Sequence, residues 1–419
     1  MDKFRNFHQI SKLNFNCFRP VYIIVLGLLI TLSQILFLGW LSGANHLTEA
    51  YLKLCQWDSG WYTNIIENGY RSTIPPVRQN PNLSNVAFFP GYPIMVGAFK
   101  NFFGLPTPYA LLLVAQLTCW GFWIYLFMFF QRWQVSTRLA IGGAIAILVH
   151  PAAFYLVAGY SESLFLMALL GFLYWTNYTR FSSWFLAALH GFVMTATRIV
   201  GLPLALYPLF IFLNLSVLNK AGNLSQKFRK NISYLLISVI SSLGCVFFFI
   251  FCYLEFGDWA LYMKTQLTGW GIKPNYLAFL HSKNYISFVF AQNLTNFVNQ
   301  LSVPVTMVLL LIFCLAELRL AKIYQGNWQQ RVGFYFCGWI MFYLSACSLE
   351  SRGMASMIRY TFCVHVMLVL AVVHLLSKVQ PTKAVANNWV AFLMLFMGTA
   401  SFLMQSKLAY MFTHGEWVA

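Results

Sequence analysis

The chain has 419 residues, of which 59% are hydrophobic, 18% aromatic and only 9% charged. A soluble domain carries about 45–50% apolar and about 25% charged residues, so a mean hydropathy of +0.65 excludes a soluble globular enzyme as well as a disordered or collagen-like chain. The net charge of +17, from 27 Lys and Arg against 10 Asp and Glu, falls in loops and termini. That is how basic residues hold cytoplasmic loops inside, and no nucleic-acid partner is expected.

A spanning helix needs about 20 apolar residues. The chain begins with Lys3, Arg5, Lys12 and Arg19, and the apolar run Val21 to Leu41 follows. That run is too long for a signal-peptide core, so residues 1–20 are expected to be a cytoplasmic N-terminus ahead of a first span. Segment 86–105, with two Pro, three Gly and a Lys, is expected to lie along or dip into the outer face rather than cross. Further spans are predicted near 109–130, 139–157, 161–178, 183–200, 202–218, 234–254, 302–318, 333–350, 358–377 and 388–406. Arg132 and Arg138, Arg180, the cluster Lys220 to Lys230, then Arg319, Lys322 and Arg331, and Lys378 with Lys383 mark five cytoplasmic loops. The parity gives eleven spans, within a range of ten to thirteen, in one domain over 1–419. Two long extracytoplasmic loops are expected, at 42–108 and 255–301. Continuous apolar runs exclude a β-barrel.

With 10 acidic residues in the chain, each can be weighed. Glu317 and Glu350 sit at span ends, where interfacial placement accounts for them. Glu49, Glu67, Glu255 and Asp258 lie in outer loops. Asp58, in CQWDSGWY, and Glu162, in GYSESLF, differ: each stands beside a membrane segment, where an ionisable group is costly and a functional candidate. Topology puts both on the same side. Arg198, in TATRIVG, and Arg359, in SRGMASMIRY, break the cytoplasmic pattern and offer an acid partner or a phosphate fork. Arg352 reads as an interfacial residue. His150 is better read as a hydrogen-bonded core histidine than as a base. Trp57, Trp61, Tyr62 and Tyr70 suit either a sugar- or lipid-facing platform or an aromatic belt. The nine Cys are scattered, with no CxxC and no ligand spacing, so neither disulfides nor zinc are indicated. P-loop, GxSxG and HExxH motifs are absent from the sequence.

The stretches WDSGWYTNIIENGY, NVAFFPGYP, FYLVAGYSESLF, TRIVG and IRY, in that order, resemble the pattern of the GPI mannosyltransferase II (PIG-V) family of the GT-C superfamily. The match is close over 57–201 and weaker at 359–360. Two positions depart: Gly91 stands where the family often has a bulky residue, and Ile358 where it often has Pro. The resemblance implies an all-α polytopic GT-C bundle with juxtamembrane helices in the first outer loop. It implies transfer of a sugar, most of all mannose, from a polyprenyl-phosphate donor to a lipid-linked or other membrane-proximal acceptor, with inversion, on the periplasmic or lumenal face. Asp58 then matches the essential acid assigned as base, and Glu162 the second acid, positioning the acceptor or binding an ion. Arg198 and Arg359 are expected on the donor phosphate, and Trp57, Tyr62, Phe89, Tyr92 and Tyr160 around the sugar and acceptor. A divalent cation held by Asp58 and Glu162 with waters stays open, as does a partner membrane subunit. The competing readings are a secondary transporter coupled through Glu162 and Arg198 and a non-catalytic membrane scaffold.

Overall fold

A computed structural model describes residues 20–72, 84–178, 180–211, 224–321, 328–378 and 388–418. Among these residues the regular structure is helical throughout. In chain order the helices are α1 (Pro20–Leu41), α2 (Leu47–Leu52), α3 (Asp58–Asn68), α4 (Gly91–Phe103), α5 (Thr107–Arg132), α6 (Thr137–Leu148), α7 (Glu162–Thr176), α8 (Phe181–Thr197) and α9 (Gly201–Leu204). They continue as α10 (Leu224–Phe256), α11 (Leu261–Thr268), α12 (Lys283–Ile286), α13 (Leu294–Ala321), α14 (Trp328–Leu349), α15 (Met357–Lys378) and α16 (Asn388–Thr413).

Six described helical segments are long and apolar enough to cross a membrane: Pro20–Leu41, Thr107–Arg132, Ile232–Phe256, Leu294–Leu318, Arg331–Arg352 and Met357–Lys378. The spans expected near 139–157, 161–178 and 183–200 are helices of 12, 15 and 17 residues. The first two are short because the backbone leaves the helix after Leu148, passes through a 3₁₀ turn over Ala153–Leu156 and re-enters a helix only at Glu162. The run expected at 202–218 is described only as far as Ile211, where Gly201–Ile211 is a short apolar helix. Helix α4 has 13 residues, about 20 Å of rise at about 1.5 Å per residue, against a hydrocarbon core of about 30 Å. Its Ile94, Phe102 and Phe103 are exposed, as expected for a helix lying along an apolar boundary.

Lipid is as apolar as leucine, so helices associate through close packing and polar contacts rather than through expulsion from water. Helices α8 and α10 illustrate this. A Cβ on Gly191 would overlap Ser241, and one on Gly244 would lie 2.7 Å from the Ala196 nitrogen, so the two backbones approach as only glycine allows. Thr195 Oγ1 donates to the Ser241 carbonyl at 2.5 Å and locks the end of α8, the turn that carries Arg198. Helix α5 packs on α1 and α7, and its Phe122, Trp123, Phe127 and Phe130 are all enclosed. Trp123 Nε1 donates to Gln34 Oε1 at 3.2 Å.

The segment between α1 and α5 is built on its own polar residues. Asn85 donates to Asn64 Oδ1 and to the Gly69 carbonyl, both at 2.9 Å, and accepts from the Arg71 amide at 2.8 Å. Gly69 closes α3 at φ 73°, a conformation that suits glycine at a helix end. Tyr70 OH donates to the Phe88 carbonyl at 2.8 Å. Glu67 pairs with Lys100 at 2.7 Å and accepts from Thr107. The Lys100 hydrogen bond, reinforced by that of Thr107, holds the Glu67 carboxyl below its usual range.

Three acids expected to be simple interfacial or loop residues are partnered. Glu317 and Arg331 form a two-pronged pair at 2.6 and 2.7 Å, and Arg331 Nη1 also reaches His374 Nδ1 at 3.1 Å. Arg331 is thus a buried residue tying α13, α14 and α15 together, not a loop cation. Glu350 accepts from Asn275 at 2.5 Å and contacts His281 and Lys283 at 2.7 and 3.1 Å, fastening residues 275–283 to the end of α14. Asp258 pairs with Lys264 at 2.6 Å. His150 is packed as expected. Its Nδ1 accepts from the Ala152 amide at 3.1 Å, so Nε2 carries the proton donated to His365 Nδ1 at 2.7 Å.

Candidate active site

Asp58, Glu162, Arg198 and Arg359 lie in different elements and meet in one network. Asp58 is the first residue of α3 and Glu162 the first of α7. The two helix starts are stitched side by side. Ser59 Oγ donates to the Gly159 carbonyl at 2.9 Å, and the Gly159 amide donates to the Leu54 carbonyl at 3.1 Å. A Cβ on Gly159 would lie 2.8 Å from Ser59 Oγ and 3.1 Å from Cys55 Sγ, so WDSG and GYSE fit together only with glycine there. Trp57, immediately before Asp58, adopts φ 50° and ψ −99°. For a residue with a Cβ this costs about 1–3 kcal/mol.

Arg198 follows α8 in extended backbone, φ −151° and ψ 141°, so the helix ends just as the side chain turns inward. Arg359 sits in the first turn of α15, after a turn in which Met354 and Ser356 have φ 65° and 68°. Arg359 Nη1 donates to Asp58 Oδ2 at 2.6 Å, and its Nε donates to Glu162 Oε1. Arg198 Nη2 donates to the same Glu162 oxygen. Glu162 is therefore the hub of two guanidinium groups. Its side chain is fully enclosed, while those of Asp58 and Arg198 keep 14% and 12% exposure. Glu162 Oε2 is buried with no hydrogen-bond partner among the described residues.

Aromatic rings fix the arginines from behind. The Arg359 guanidinium lies 4.6 Å from the Tyr160 ring centre and 5.3 Å from that of Tyr155. Arg198 lies 5.6 Å from Phe165 and 5.7 Å from Tyr360. Such cation–π contacts contribute about 0.5–2 kcal/mol each and, more usefully here, orient the fork. Ser161 Oγ accepts from Tyr62 OH at 3.0 Å and from Arg198 Nε at 3.4 Å. Burial pushes the Tyr62 phenol up, so it keeps the proton it donates.

The sugar and acceptor residues expected from the sequence divide. Tyr160 underlies Arg359, and Tyr62 supports Arg198 through Ser161. Both are enclosed, at 2% and 4% exposure. Two of the expected residues stand apart from the junction. Tyr92 is a packing residue at 0% exposure, with its hydroxyl on the Leu111 carbonyl at 2.7 Å. Phe89 packs on Phe248 and Tyr262, with ring centres 4.9 and 5.0 Å away, in a separate cluster. Trp57 is held between α3 and the segment that follows α16. The segment around α11 also borders this region: Trp270 meets Trp61 and Phe88 edge-on at 5.4 and 5.8 Å, and Gln266 donates to the Ala87 carbonyl at 3.1 Å.

As candidate ligands for a divalent cation, Asp58 and Glu162 both face guanidinium groups in this conformation. Among the described residues no group of three or more His, Cys, Asp and Glu side chains is arranged to hold a metal ion. Four parts of the site had not been singled out as candidates: Tyr155, Ser161, Tyr360 and Phe412. The first three lie inside FYLVAGYSESLF and IRY; Phe412 carries no local signal.

No protein-family model matches the chain, and no curated protein sequence matches it. Solved structures do. The archaeal oligosaccharyltransferase AglB from Archaeoglobus fulgidus, in complex with an inhibitory peptide and a dolichol-phosphate, aligns over 95% of this chain and 56% of its own, with TM-score 0.51 and 12% identity. ArnT from Cupriavidus metallidurans, bound to undecaprenyl phosphate, aligns over 94% of this chain and 77% of its own, with TM-score 0.53 and 13% identity. The chain has a GT-C fold. It is an integral membrane protein of the all-α polytopic class expected from its sequence, and it spans a little over half the length of the oligosaccharyltransferase it resembles. At these identities the likeness is one of fold.

Proposed function

We propose that this chain is a membrane glycosyltransferase of the PIG-V kind, which moves a sugar, mannose by the resemblance, from a polyprenyl-phosphate donor to a hydroxyl of a lipid-linked or other membrane-proximal acceptor. The observation that carries the reading is the junction of Asp58, Glu162, Arg198 and Arg359, assembled from loop and helix ends far apart in sequence. The two solved neighbours, whose bound lipids are a dolichol-phosphate and undecaprenyl phosphate, support a polyprenyl-phosphate ligand for this fold.

The chemistry is a single displacement. The acceptor oxygen attacks the anomeric carbon, the bond from that carbon to the phosphate oxygen breaks, and the configuration inverts. Asp58 takes the acceptor proton as general base, and the polyprenyl phosphate departs with the electron pair. Arg198 and Arg359 neutralise the charge that grows on that phosphate. Glu162 holds both forks in register.

The network is balanced, with two carboxylates against two guanidinium groups. A donor phosphate competes with Asp58 for Arg359. Once Arg359 turns to the phosphate, Asp58 Oδ2 loses its guanidinium partner and is free to accept from the acceptor hydroxyl. Donor binding thereby readies the base, and the active face is extracytoplasmic on the positive-inside reading.

The test is a transfer reaction in nanodiscs with polyprenyl-phosphate [³H]mannose and a lipid extract as acceptor source, products identified by mass spectrometry. A labelled lipid of inverted configuration is the expected outcome. Labelled product only from a different polyprenyl-phosphate sugar would overturn the mannose assignment. Donor neither bound nor consumed would overturn the transferase reading and favour transport.

A further inference from the structure

Trp57 holds a backbone conformation that non-glycine residues rarely adopt, and it immediately precedes Asp58. A strained residue persists only where its surroundings hold it. The holding contacts come from the far end of the chain. The Trp57 indole Nε1 donates to the Glu416 carbonyl at 3.1 Å. Its ring meets that of Trp417 edge-on, with centres 5.0 Å apart at 80°. Gly415, at φ 77°, turns the backbone out of α16 and back toward α3, where a Cβ would lie 3.9 Å from Gln56 Oε1. Phe412, Thr413 and Val418 are buried at 0%, 1% and 2% exposure while Trp417 keeps 42%, so the segment is seated at both ends.

The same segment also reaches the other side of the site. The Phe412 ring lies 5.7 Å from both Tyr155 and Tyr160, the two rings beneath Arg359. Residues 412–418 therefore touch the supports of both members of the Asp58–Arg359 pair, one through Trp57 and one through the tyrosines.

We propose that residues 412–418 form a positioning strap for this site, holding Trp57 in its strained conformation and so keeping Asp58 at the Arg359 junction. Trp417 and Phe412 are positioning residues; neither is assigned a role on the reacting atoms. The consequence for catalysis rests on the reading of Asp58 as the base, whereas the mechanical claim does not.

The test uses the full chain in nanodiscs and two readouts. Hydrogen–deuterium exchange follows the amides of Ser59 and Gly60, which donate to the Gln56 and Trp57 carbonyls at 3.1 and 3.0 Å. Transfer kinetics give kcat and the donor KM separately. Trp417→Ala is expected to raise exchange over 55–60 roughly tenfold while exchange in α5 and α7 stays unchanged. It should lower kcat roughly 10–100-fold, the size of effect a displaced catalytic group produces, with donor KM within about twofold. Trp417→Phe, which keeps a ring in place, should restore most of both. Unchanged exchange over 55–60 in Trp417→Ala would overturn the strap, and raised exchange with unaltered kcat would overturn its role in positioning Asp58. Should Trp417→Ala disrupt the whole bundle, Trp57→Phe removes the indole donor and shrinks the ring that meets Trp417, and decides by the same exchange reading. If the wild type transfers no sugar, the transferase reading fails, and the exchange result still decides whether the strap holds Trp57.

Discussion

Arg359 donates to Asp58 at 2.6 Å across 301 positions of sequence. Its Nε at the same time holds Glu162, 197 positions away. One planar side chain thus joins the start of α3 to the start of α7, and the chemistry of the site turns on what that side chain does when a phosphate arrives.

Replacing Arg359 by Lys keeps the charge and removes the fork. A single ammonium group does not reproduce two donors in fixed directions. Polyprenyl-phosphate affinity should fall at least roughly tenfold, about 1.4 kcal/mol, and turnover should fall with it. Titration of the lipid into nanodisc-embedded protein checks this; unaltered affinity in Arg359→Lys would assign the phosphate elsewhere.

Glu162→Gln leaves two buried guanidinium groups without their shared counter-charge. Removing one partner of a buried ion pair costs about 3–5 kcal/mol, so the variant should unfold at a clearly lower temperature, read by loss of the monodisperse peak on heating in detergent. Asp58→Asn has no such consequence, because Asp58 is partly exposed and shares only Arg359. Equal stability of the two variants would contradict the hub role of Glu162.

Gly91 explains one departure from the family pattern. A Cβ there would lie 2.8 Å from the Ala196 carbonyl carbon and oxygen and 2.9 Å from Thr197 Oγ1. Backbone atoms of a packed helix cannot give way cheaply, so Gly91→Leu should destabilise by about 1–3 kcal/mol. It should also shift the turn carrying Arg198 and weaken donor binding. A variant of wild-type stability and affinity would show that α4 slides freely against α8.

Competition between phosphate and Asp58 for Arg359 predicts an order of events. Acceptor affinity should rise when the donor phosphate is bound, and product-inhibition patterns should fit donor binding first. Acceptor affinity independent of the polyprenyl phosphate would remove the coupling.

The fold class and the acids of the site were legible for one physical reason: charges beside a membrane are expensive. With 10 acidic residues in 419, Asp58 and Glu162 stood out by position, and Arg198 and Arg359 by lying off the cytoplasmic pattern. What pairs with what was not legible. Glu162 holding both arginines, and Glu317 bound to Arg331 across a helix hairpin, depend on how helix ends come together, which periodicity does not encode. Phe412 was hidden for a different reason: one Phe among 41 carries no local signal, and its place behind Tyr155 and Tyr160 comes from the packing of α16. That Tyr92 and Phe89 stand apart from the junction was hidden as well, because a motif full of aromatics does not say which rings neighbour which charges.

The most direct test is a single-turnover reaction with the donor bound beforehand, comparing the wild type with Asp58→Asn and measuring bound donor in the same samples. Donor occupancy should be equal or higher in the variant, since Arg359 is freed from a competing carboxylate, while transfer falls by roughly 10²–10⁴-fold, the usual contribution of a general base. Transfer by Asp58→Asn within a few-fold of the wild type would contradict the account, because the residue held by Arg359 would then not be the one that takes the proton.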